Sequence, residues 1–352
     1  MSANAEYVKE LLVELLRIRS PSGEEEAISR FICDIISEFG YDPELIHISG
    51  RSYNVIVNNM RDPDLLIATH MDTVSLDIPI SVSGDIIKGT GACDAKGSIV
   101  TMILTLMKTR IPDNISFAFF SDEEMSGSGS MSYLRNHKPK SVIILEPTEL
   151  NVCFEGYGAV EGEIILVGRR IHPSVADRLQ EHNVIGKLPI LMDKLAHCFS
   201  EEGMKFVVYA VDCGSKEEFW LPSRCSIAFD ILVPYGLTAK KCISILREQS
   251  EIYHFEYRVT EYSDPFRTTD EEFIRKVSYA YEKVFNSRVR TAIMPSWTDA
   301  NNFAAMGIPV AVFGPGSLLY AHSEYERVNI MDIIGASRFL IELVNAFSNQ
   351  PK

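Results

Sequence analysis

The chain has 352 residues, enough for two domains of ordinary size. Hydrophobic residues make up 46% and charged residues 23%, the composition of a globular protein with a sizeable core. A formal net charge of -14 argues against nucleic acid and anionic membrane surfaces as general partners.

The first twenty residues form an amphipathic helical pattern that carries charges throughout, unlike the apolar stretch of a secretory signal. No apolar run approaches the length of a membrane-spanning helix, so the expected location is cytoplasmic. The seven cysteines are odd in number and never paired as CxxC, which is expected of free thiols in a reducing compartment.

Ser22, followed three residues later by Glu25, has the spacing of a capping box opening a helix over 23–39. Short apolar runs follow at 54–58, 65–69, 115–120 and 141–145, with helical patterns at 96–109 and 127–136. A further buried strand is expected at 309–313 and a closing helix at 331–348. Apolar strands alternating with helices predict an α/β fold, a mostly parallel sheet flanked by helices. The middle of the chain reads differently. Strand patterns at 158–167, 205–212, 225–233 and 254–260, with helical ones at 183–199 and 237–249, follow the order β-α-β-β-α-β. That order predicts an inserted ferredoxin-like α+β lid. The expected division is 1–156 for the first part of a catalytic domain, 157–263 for the lid and 264–352 for the second part.

Five segments carry the candidate chemistry: His70 and Asp72 in ATHMDTV, Asp94 in GTGACDAKGS, Glu123 and Glu124 in FFSDEEMSGSG, Glu146 in ILEPTE, and His322 in GPGSLLYAHSEYE. Three of these groups follow directly on strands, at the edge where open α/β sheets bind ligands. Singly, Asp72 reads as a helix cap, Asp94 as a turn residue, and the Glu pair as a solvated helix start. Together, two imidazoles and several carboxylates without a thiolate form an N/O set suited to zinc, cobalt or manganese. One carboxylate can bridge two ions about 3.5–4 Å apart. Another must stay unligated to take a proton, and adjacent residues leaving a strand, such as Glu123 and Glu124, point different ways.

In the order and spacing of these segments the chain resembles the zinc aminoacylase/carboxypeptidase family, which also contains acetylornithine deacetylase and succinyl-diaminopimelate desuccinylase. The resemblance covers nearly the whole length and includes the inserted lid. It implies that His70, Asp94 and Glu146 hold one metal, and that Asp94, Glu124 and His322 hold the other. Asp72 then orients His70, and Glu123 acts as general base. The implied cofactors are two divalent ions, zinc first and cobalt second. In the lid, GRRIHPS followed by HNVI is similar to the family's motif, implying that His172 stabilises the oxyanion and that Asn183 contacts substrate. A homodimer through the lid is implied as well.

Two departures stand out. Where relatives often place arginines for a substrate carboxylate, this chain has Leu232 and Asn301. Arg224 and Arg267 are candidate substitutes. Asn301, the Asp-Ala-Lys-Gly stretch and the small lid are similar to a branch that releases lysine or ornithine from an acidic amino-group carrier protein in lysine and arginine biosynthesis. The expected function is therefore a binuclear metal-dependent amidohydrolase acting on an N-acyl or carrier-linked amide. The alternatives are a dipeptidase or aminoacylase on small N-acyl substrates, and a non-catalytic binding protein. Glu123 and every implied ligand are present, which weighs against the last.

Overall fold

A computed structural model describes residues 5–214 and 219–348. The first four residues of the expected N-terminal helix lie outside them; of the remainder, Ala5–Arg17 is helical. The chain divides into two compact units: Met1–Phe154 with Thr268–Met294 and Thr298–Lys352, and Glu155–Arg267 with Pro295–Trp297.

The sheet of the first unit runs in the order Glu44–Ser49, Ser52–Val57, Ile115–Phe120, Leu65–His70, Val142–Ile144, Val310–Val312, Val152–Gly156. Its central strands are parallel and its flanks antiparallel. Leu65–His70 and Ile115–Phe120 are buried at every residue, the burial expected of a parallel strand covered on both faces. Helix Lys96–Lys108 is buried through Leu106 and packs in the same core as Ala5–Arg17 and Ile330–Ser348. In Ala5–Arg17 the buried Val8, Leu11, Leu12, Leu15 and Leu16 form one stripe at helical spacing.

The second unit is a four-stranded antiparallel sheet in the order Lys205–Asp212, Arg224–Val233, Gly158–Val167, Glu256–Ser263. Helices Val184–Glu201 and Ala239–Tyr253 share its apolar core with the side chains of one sheet face, among them Ile227, Phe229 and Ile231. Burial alternates along Arg224–Val233, as in a sheet covered on one side. The element order is the ferredoxin-like one.

Two expectations are corrected. Helix Glu26–Ser37 begins without a side-chain cap, so Ser22 and Glu25 form no capping box. Both side chains are engaged with strand-end loops instead. Cys213 and Cys225 form a disulfide, leaving Cys33, Cys93, Cys153, Cys198 and Cys242 as free thiols. Asp212 pairs with Ser226 across the two strands, which sets Cys213 beside Cys225; a sequence separation of 12 concealed that closeness.

Candidate metal centre

Three parallel strands end side by side, with His70 opposite Phe120 and Ala68 opposite Ile144. The Met71 amide donates to the Phe120 carbonyl, and the Leu145 amide to that of Ala68. The register thus delivers His70, the Glu123–Glu124 pair and Glu146 to one edge. Asp94 joins them from the loop before helix Lys96–Lys108, and His322 from the loop after Val310–Val312.

His70 Nε2 lies 3.0 Å from Asp94 Oδ1 and 3.8 Å from Glu146 Oε2. His322 Nε2 lies 2.9 Å from Glu124 Oε1 and 3.5 Å from Asp94 Oδ2. Within each of these two trios the donor atoms lie within 4.8 Å of one another. Asp94 belongs to both trios and presents one oxygen to each histidine.

The donor set fits divalent cations. His70 Nδ1 faces the Asp72 carbonyl at 3.0 Å, which places the ring proton there in the neutral form and leaves a lone pair on Nε2. That position faces a carboxylate oxygen, and either a proton on Nε2 or a divalent cation between the two satisfies the contact. Glu146 Oε1 is buried with no hydrogen-bond partner. Burial pushes the carboxyls of Glu123, Glu124 and Glu146 up, and their acidic neighbours add to it. Burial alone would push His70 down, but Glu146 and Glu123 outweigh it and hold the imidazole well above its usual value. The hydrogen bond to Glu124 lifts His322 to about 9. Carboxylates crowded round two imidazoles are the electrostatic signature of a cation site.

Asp72 does more than orient an imidazole. Its Oδ1 accepts from the Glu123 amide at 3.1 Å, and its Oδ2 from the Glu124 amide at 2.9 Å and Ser22 Oγ at 2.7 Å. The His70 ring is nearer to the Asp72 carbonyl than to its carboxylate, which lies at 3.4 Å. Burial would raise Asp72, but the hydrogen bonds from His70, Ser22 and the Glu124 amide more than offset it and hold the acid ionised.

Sequence reasoning missed the support of this loop. Glu25 is fully buried; its Oε1 accepts from the amides of Gly23 and Asp122, and its Oε2 from Ser52 Oγ. Ser20 Oγ donates to the Met71 carbonyl, while the Ser20 carbonyl accepts from the Thr73 amide. The segment Ser20–Glu25 therefore braces both strand-end loops. Asp299 was missed too. It is buried, accepts from Ser130 Oγ, and is pushed up to about 7 by burial. The signal for Glu25 was present in PSGEE but pointed equally to a helix cap.

The candidate substrate-binding residues lie in varied settings. Asn301 is 3% exposed, and its Oδ1 accepts from the Thr298 amide in the capping box of helix Asp299–Ala305. In the second unit, Asn183 caps helix Val184–Glu201 through the Gly186 amide. Arg267 pairs with Glu155 and stacks over Tyr235. Arg224 is exposed at the start of its strand. His172 is exposed, and its Nδ1 accepts from the Ser174 amide, so the neutral ring carries its proton on Nε2.

Known proteins resemble this chain over nearly its whole length. The family model described as Peptidase family M20/M25/M40 matches residues 66–346. A LysW-lysine/LysW-ornithine hydrolase from Sulfurisphaera tokodaii is 25% identical over 330 residues, covering 93% of this chain and 91% of that protein. Among solved structures, a tripeptidase from Staphylococcus aureus superposes with a TM-score of 0.81 at 16% identity, over 99% of this chain and 100% of that one. A dinuclear metal-binding peptidase from Bacillus subtilis gives 0.67 at 14% identity, over 97% of each chain.

Proposed function

This chain belongs to Peptidase family M20/M25/M40 and is a hydrolase of amides, and from that premise we propose that it works with two divalent ions to release lysine or ornithine from a carrier-linked or N-acyl amide. The observation that carries this reading is Asp94, which offers one carboxylate oxygen to each donor trio. His70 and Glu146 would complete one ion's set, and Glu124 and His322 the other's. A donor set of nitrogen and oxygen without thiolate favours zinc, with cobalt as the alternative.

Two such ions supply Lewis-acid polarisation of the scissile carbonyl and lower the pKa of water. The remaining work falls to the chain's own side chains. Glu123 belongs to neither trio, which leaves its carboxylate available as the base. It takes a proton from water as the C–O bond forms, and returns it to the amine as the C–N bond breaks. Asp72 holds the backbone of Glu123 and Glu124 while this happens. His172, with its proton on Nε2, is assigned the donor role toward the developing oxyanion.

The carrier-linked substrate is favoured by the name of the Sulfurisphaera tokodaii relative. A small dipeptide or N-acyl amino acid is the competing substrate. Assays on carrier-linked lysine and ornithine, their N-acetyl forms and dipeptides, with zinc or cobalt added, decide between them. Turnover of the small substrates as fast as of the carrier-linked ones would overturn the carrier assignment.

Among the described residues no helix is long and apolar enough to cross a membrane. We place the protein in the cytoplasm. The Cys213–Cys225 pair is the feature that tests this placement, through thiol titration of protein purified under anaerobic conditions. We place a two-fold contact along the lid edge strand Lys205–Asp212, where Val207, Tyr209 and Val211 are exposed. A monomeric mass by light scattering would remove that placement.

A further inference from the structure

Glu326 lies four residues beyond His322 and is 1% exposed. Among the described residues its carboxylate has no lysine or arginine within ion-pair distance. It accepts instead from three backbone amides of the loop that carries Asp94. Oε2 takes the Gly91 amide at 3.0 Å; Oε1 takes those of Cys93 and Asp94, both at 3.2 Å. The Gly89 amide donates to its carbonyl at 3.3 Å. A desolvated carboxylate is costly unless donors surround it, and here the donors come from one short loop.

The surroundings leave that loop little choice of shape. Gly91 has φ +81, and a Cβ there would sit 2.6 Å from Thr73 Cγ2. Glu326 itself is fixed from behind, because Arg327–Asn329 pairs with Ile86–Lys88, with Arg327 opposite Lys88. A continuous path therefore runs from this ladder through Glu326 to the Asp94 amide. The Asp94 carboxylate then meets His70 on one side and His322 on the other.

We propose that Glu326 is the positioning residue for the shared carboxylate, holding the Asp94 loop so that each of its two oxygens serves one metal. This rests on the two-metal reading above. A glutamate is needed because both oxygens are occupied. A glutamine side chain would turn its NH2 group toward a backbone N–H, and a shorter side chain would not span the amides of Gly91 and Asp94 together. Groups that hold a ligand from behind typically govern metal affinity by about 10–100-fold.

The test uses the full chain, wild type and the variants Glu326→Gln and Glu326→Asp, stripped with a chelator and titrated with cobalt(II) chloride. Equilibrium dialysis reads stoichiometry and affinity, the visible cobalt spectrum reads ligand geometry, and thermal melting reads the fold. Wild type should bind two cobalt ions. Glu326→Gln should bind them about 10–100-fold more weakly with an altered spectrum, because both ions share Asp94. Glu326→Asp should fall between, and it carries the test alone if the Gln variant does not fold. A lowered melting temperature with affinity and spectrum unchanged would mean a purely structural role and overturn the proposal. Failure of the wild type to bind cobalt would instead strike the two-metal reading, and this inference with it.

Discussion

Replacing Asp72 by Asn changes one atom in the support of the catalytic loop. The carboxylate is buried, and its two oxygens divide the Glu123 amide, the Glu124 amide and Ser22 Oγ between them. An amide side chain offers one oxygen and one NH2. With the oxygen toward Ser22 and the Glu124 amide, the Glu123 amide is orphaned; flipped, the Glu124 amide is orphaned. Ser22 can reverse its role, but a backbone N–H cannot. One buried donor left unmade costs about 1–3 kcal/mol, or roughly 5–150-fold at about 1.4 kcal/mol per decade. That cost falls on the loop bearing Glu123 and Glu124, so kcat/KM and metal occupancy should drop together. Steady-state kinetics at saturating metal, with metal content measured on the dialysed protein, separate the two. Values of both within about threefold of wild type would refute the assignment of Asp72 as the loop's anchor.

Glu123→Gln should lower kcat by about 10²–10⁴-fold with metal content intact, and loss of metal with activity per ion retained would mean that the two glutamates have exchanged roles. Because His322 is lifted to about 9, a bound ion must displace its proton below that pH. Cobalt affinity should therefore rise as pH increases from about 6 toward about 8, and a flat affinity across that range would exclude His322 as a ligand. In the lid, burial and the opposed Glu161 push Asp230 from 3.8 up to about 7, and its Oδ1 has no partner. The unfolded chain releases this proton first, so the penalty is absent at low pH, grows up to about pH 7 and is constant above it, reaching as much as about 4 kcal/mol. Asp230→Asn should raise the melting temperature at about pH 8 and leave it little changed at about pH 4; an equal gain at both would show that the charge is not the cause.

Much of this architecture was legible because its central strands are continuous apolar runs. LLIATH and ISFAFF can hardly be anything but covered parallel strands, and the polar groups that follow them are placed by the register alone. Strands such as Ser81–Ser83 and Arg327–Asn329 are too short for any period to show. Helix Glu271–Phe285 escaped although Asp270 caps it, because its buried face is only Phe273, Val277, Ala280 and Tyr281. The segments bearing the candidate donors were picked out by chemistry and position, and their division into two trios came from the family resemblance. Their supports were not legible, since Ser22, Glu25 and Glu326 act on loops distant in sequence. Nothing in a local pattern marks such a contact. Asn301 also has a local role that its sequence position did not announce, since its amide completes a cap in its own helix.

The two trios also differ in when the chain can complete them. During synthesis, His70, Asp94 and Glu146 all leave the ribosome before the lid has been made, and their three parallel strands can already pair. His322 emerges only after the whole lid. At roughly 5–20 residues per second, this leaves an interval of many seconds in which the nascent chain owns one full donor set and two of the three donors of the other. Chains truncated just before His322 would hold that intermediate for inspection. The order of translation thus makes the donors of the buried trio available first, with the half-exposed His322 completing the second trio last.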